Sequence, residues 1–86
     1  MEFRFSKHAE QELALRCIPR AVAEAVLRRP DQVVPERGAK KAYRSQVDVG
    51  RGRMMLVRAI VDDTVEPGVV VTIYRTSKIA KYWRQS

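Results

Sequence analysis

The hydrophobic pattern of this chain changes period at Pro30. Before it, apolar residues recur three and four apart; beyond it, they alternate. A helix turns every 3.6 residues and a strand alternates every two, so helices are encoded first and most of a sheet second. With 86 residues there is room for one core, which predicts a single domain over 1–86 of the α+β class.

At the N-terminus, Phe3 and Phe5 fall on one side of a short strand. Ser6 is placed to accept from an otherwise unpaired amide of a following helix, in which Ala9 and Leu13, with Ala14 and Cys17, recur at helical spacing. Pro19 suits the first turn of a second helix, carrying Ala21, Val22, Ala25 and Val26 and stopping before Pro30. Cys17 reads as a small buried hydrophobe near a helix end. The stretch 30–35 is a connection with room for a brief strand at 32–34, followed by strands at about 42–49, 54–62 and 69–75. Gly50 and Gly52 permit a tight hairpin, and the short links make these strands antiparallel neighbours. The strand from Met54 is apolar on both faces and therefore central, which makes Arg58 the exception within it. A buried arginine needs an anion, from inside the fold (Glu10, Glu12 or another acid) or from a ligand.

The charge is uneven. Of a formal net +7, the stretch from Arg37 to Arg58 carries Arg37, Lys40, Lys41, Arg44, Arg51, Arg53 and Arg58 against only Asp48, and from Arg75 to the end Arg75, Lys78, Lys81 and Arg84 stand against no acid. Positive potential therefore belongs to the sheet and the C-terminal segment, and implies an anionic partner. No apolar run approaches the roughly 20 residues that span a bilayer, so the expectation is a cytoplasmic protein without a membrane partner. One cysteine excludes an internal disulfide, and neither a metal-ligand spacing nor a phosphate-binding glycine loop occurs, so no metal and no cofactor is expected. What remains is cationic and aromatic: His8, Tyr43, Arg44, Arg58, Tyr74, Arg75, Lys78, Lys81, Tyr82 and Trp83. Guanidinium forks match phosphates and aromatic rings stack on bases, the combination that grips single-stranded RNA.

The runs Phe5-Ser6-Lys7-His8-Ala9, Arg28-Arg29-Pro30, Met55-Leu56-Val57-Arg58-Ala59 and Val71-Thr72-Ile73-Tyr74-Arg75-Thr76-Ser77-Lys78-Ile79-Ala80-Lys81-Tyr82-Trp83 together resemble an uncharacterised bacterial family that looks like a relative of the BrnT-type and RelE/ParE-type toxins of toxin–antitoxin systems. The resemblance implies a β-α-α-β-β-β core with two helices on an antiparallel sheet. It also implies one of two activities: metal-independent cleavage of mRNA, often on the ribosome, or inhibition of DNA gyrase without cutting, each neutralised by a cognate antitoxin. A basic module for an acidic protein or a nucleic acid is the non-catalytic alternative.

For a ribonuclease, His8 and Lys78 are the candidates for proton transfer, and Arg58 and Arg75 for phosphate charge. Lys7, Tyr43, Arg44, Lys81 and Tyr82 are the candidates for contacting nucleic acid. Each has a plainer role beside it: a surface histidine, an internal ion pair for Arg58, a solvated strand end for Arg75, hydrophobic anchors for Tyr82 and Trp83, and a solvated stripe for Lys78 and Lys81.

Overall fold

The computed structural model describes residues 2–83. Strand β1 (Phe3–Phe5) leads into helices α1 (Lys7–Leu15) and α2 (Arg20–Arg28), then into β2 (Gln32–Pro35), β3 (Lys40–Asp48), β4 (Met54–Asp62) and β5 (Gly68–Thr76), and ends in a single turn, α3 (Ile79–Tyr82). The result is a small α+β fold with a five-stranded sheet ordered β1-β5-β4-β3-β2, in which β4 is central.

The sheet is mixed, which corrects the all-antiparallel expectation. Strands β2 to β5 form the antiparallel meander that their short links require. Strand β1 pairs with β5 in parallel, Phe3 opposite Gly68 and Phe5 opposite Val70. The reason is parity. The chain leaves β1, crosses by the helix pair to the far edge at β2, and after three reversals β5 returns beside β1 pointing its way. The connection at 30–35 also holds a full edge strand, one more than the four-strand core expected.

Ser6 caps α1 as its position suggests: its hydroxyl oxygen accepts from the Ala9 amide at 3.0 Å while donating to the Val71 carbonyl at 2.9 Å, tying the helix start to β5. At the other end, the Cys17 amide donates to Ala14 and the Ile18 amide to Leu13, with Cys17 left-handed at φ 52°. This is a Schellman closure, and its left-handed position points outward. Cys17 is accordingly exposed, against its expected burial, and the flanking Leu13 and Ile18 fill the interior instead.

The two long helices cover one face of the sheet. Ala9 and Leu13 of α1 and Ala23, Val26 and Leu27 of α2 meet Val57, Ala59 and Val61 of β4 and Val70 and Ile73 of β5 in one core. Alternation sends Leu56, Arg58 and Ile60 to the opposite face, which the two long helices leave uncovered. Gly50, Arg51 and Gly52 all take positive φ in the β3–β4 hairpin, and the two glycines do so without a Cβ penalty.

Candidate functional site

The register across the face opposite the two long helices aligns four polar side chains in a row. Gln32 of β2 lies opposite Arg44 of β3, Arg44 opposite Arg58 of β4, and Arg58 opposite Tyr74 of β5. Two guanidiniums thus face each other across neighbouring strands, a pairing that repels unless each is compensated. Both are buried, Arg44 to 2% exposure and Arg58 to 6%.

Compensation comes from the surroundings. Arg44 donates from Nε and Nη2 to the Gln32 amide oxygen at 2.9 and 2.6 Å. Arg58 donates from Nη2 to the Glu36 carboxylate at 2.6 Å and from Nη1 to the Tyr74 hydroxyl. The C-terminal turn supplies rings: the Arg58 guanidinium carbon lies 4.5 Å from the centre of Tyr82 and 5.6 Å from that of Tyr74, and Arg44 lies 5.9 Å from that of Trp83. Such cation–π contacts contribute about 0.5–2 kcal/mol each. Buried Arg58 Nε has no hydrogen-bond partner among the described residues.

Because Arg58 donates to the Tyr74 oxygen, the phenol keeps its own proton for another acceptor. Burial pushes the Tyr74 phenol above its ordinary value, against the opposing pull of Arg58, so it is a proton donor at neutral pH. The cluster therefore holds a carboxylate that accepts, guanidiniums that carry positive charge, and a phenol that donates.

The other residues singled out from sequence are dispersed. His8 and Lys7 begin α1 on the helical side, His8 with its side chain 61% exposed and Nε2 3.9 Å from Glu12. Tyr43 faces the helix-side core, its ring edge-on to Phe3 and its hydroxyl donating to Asp63 at 3.4 Å; burial raises its phenol, and Asp63 adds to the rise. Arg75 lies opposite Val57 and so also faces the helix side. Lys78 is exposed at the start of α3, and the exposed Lys81 sets its ammonium 5.2 Å from the Tyr82 ring. Of the nine, the structure brings together Arg44, Arg58 and Tyr82, with Lys81 at their margin.

Glu36 and Gln32 were not singled out from the sequence. The signal was parity: Gln32, Val34 and Glu36 share one face of any strand through them. Only the β2–β3 register shows that this face meets Arg44 and, through it, Arg58.

The chain is thus a small basic α+β domain whose sheet carries, on the face opposite the two long helices and beneath the rings of the C-terminal turn, a buried arginine pair, one member of it bound to a carboxylate. Residues 5–75 match the model of a domain of unknown function, DUF4258, and the chain belongs to that family. No curated protein and no solved structure matches it.

Proposed function

We propose that the protein is a toxin-like, metal-independent ribonuclease whose reaction centre is the Glu36–Arg58–Tyr74 cluster, with Arg44 beside it and Tyr82 and Trp83 as base-stacking rings. The observation that carries this reading is the hydrogen bonding of one guanidinium to both a carboxylate and a phenol on the sheet face opposite the long helices. Cleavage of RNA without a metal needs a base for the ribose 2′-hydroxyl, charge for the crowded phosphate and an acid for the departing oxygen. Glu36 takes the 2′-hydroxyl proton, the 2′-oxygen bonds to phosphorus, the bond from phosphorus to the 5′-oxygen breaks, and Tyr74 protonates that oxygen. Arg58 and Arg44 offset the charge that builds on the phosphoryl oxygens. His8, at the start of α1 and on the other side of the sheet, has no part in this scheme, and Lys81 contributes charge from the margin.

The packing of both long helices on one face of the sheet supports the RelE/ParE-like comparison, and with it mRNA or the ribosome as target, an antitoxin as partner and a cytoplasmic setting. A second reading, binding without catalysis as in a gyrase-type inhibitor, is favoured by the low exposure of Arg44 and Arg58, both of which already have partners within the fold. The test is incubation with an oligoribonucleotide in excess chelator, with and without ribosomes. Cleavage that stops when the 2′-hydroxyl at the cut position is removed supports the ribonuclease; intact RNA in both settings supports the binding protein.

A further inference from the structure

Three arginines converge away from this cluster. Arg51 and Arg53, on the β3–β4 hairpin, and Arg75, near the end of β5, line one shallow hollow with Val49, Gly50 and Met55. No acid lines it, and among the described residues none of the three makes an ion pair or a side-chain hydrogen bond. The nearest carboxylate in sequence, Asp48, accepts from the Gly50 amide at 2.7 Å and lines the adjoining trough. Arg51 holds φ 56°, a left-handed position where glycine or asparagine is the usual occupant, so local backbone preference does not account for an arginine there. Several like charges on a turn and a neighbouring strand, none ion-paired among the described residues and with only Asp48 in the trough that Arg75 also lines, suit an anion from outside.

We propose that Arg51, Arg53 and Arg75 form a phosphate-binding site for a nucleic-acid backbone, separate from the Glu36–Arg58–Tyr74 cluster and around the end of the sheet from it. The choice of nucleic acid rests on the RNA reading above; the convergence of charge does not. Guanidinium forks fit phosphate oxygens in pairs, and an open, shallow hollow admits a backbone without a matching side-chain shape. Tyr74 and Arg75 are consecutive residues on opposite faces of β5, so a strand with one phosphate at Arg58 passes the sheet end to place others at this hollow. The site would hold the strand in position and leave the chemistry to the other face.

The test is fluorescence anisotropy with a labelled 2′-O-methyl oligoribonucleotide, which cannot be cleaved, so that binding is read independently of catalysis. Every phosphate left without its arginine lowers the log–log salt slope by about 0.7, so replacing Arg51, Arg53 and Arg75 by Ala lowers it by about 2 and weakens low-salt binding on the order of tenfold or more. Lysine at all three keeps the slope. Alanine at the exposed Arg4, Arg28 and Arg29 removes equal charge elsewhere and gives the smaller loss. A wild-type slope and affinity in the Arg51/Arg53/Arg75 variant overturns the site, as does the absence of any oligonucleotide binding by the wild type. Equal, arginine-dependent binding of polyglutamate overturns the assignment to phosphate in favour of an acidic protein. The chelator assay decides the ribonuclease reading separately.

Discussion

Arg44 and Arg58 lie directly opposite each other on adjacent strands, both buried, each compensated by different neighbours: Gln32 for one, Glu36 and two tyrosine rings for the other. An all-apolar row would pack this face at lower desolvation cost.

Replacing both Arg58 and Glu36 by Met is therefore expected to leave stability unchanged or to raise it by about 1–2 kcal/mol, because an ion pair exchanged for apolar contacts loses its desolvation penalty, in part only since Glu36 is 30% exposed. Glu36→Ala alone is expected to lower it by about 2–3 kcal/mol, less than for a fully buried pair since Glu36 retains 30% exposure. Urea unfolding curves of the two variants check the opposite signs.

Tyr43 and Tyr74 are expected to titrate above the ordinary phenol value of 10.0, both through burial first, with Asp63 adding to Tyr43 and Arg58 opposing the rise at Tyr74. A folded-state pKa above the unfolded one means that this contribution to stability is complete below about pH 10 and is lost as pH rises through the folded value. Spectrophotometric titration of the wild type and of Tyr74→Phe checks it: the variant loses one late-titrating phenol, and its alkaline loss of stability is shallower.

Cys17→Gly is expected to stabilise the protein by about 0.5–1 kcal/mol, because the left-handed position that closes α1 carries a Cβ cost which glycine lacks. Thermal melting reads this as a rise in midpoint, with helical content unchanged.

The helix pair and the meander were legible in the sequence because each rests on local pattern: Ser6 and Pro30 bound the helices, and Gly50 and Gly52 mark a hairpin between two alternating runs. The parallel pairing of Phe3–Phe5 with β5 was not, since its partners lie more than 60 residues away and no local signal records a return from the far edge. The site divided in the same way. Arg58 stood out as a cation on an apolar central strand, and its ring partners were in view as a C-terminal aromatic group. Whether Arg75 shared its face depended on the β4–β5 register, which sets Tyr74 opposite Arg58 and turns Arg75 away. Cys17 was misplaced for a related reason: helical spacing continues to it in sequence, while the chain has already turned left-handed there.

In the proposed reaction Glu36, held by Arg58, removes the 2′-hydroxyl proton, and every later step depends on that transfer. The single-turnover rate of RNA cleavage in chelator by wild type and Glu36→Gln, on the ribosome if free RNA is not cut, measures it. A general base contributes about 10²–10⁴-fold, so the variant is expected to fall by at least 10²-fold while still binding an uncleavable analogue. Cleavage by Glu36→Gln at the wild-type rate would contradict this role.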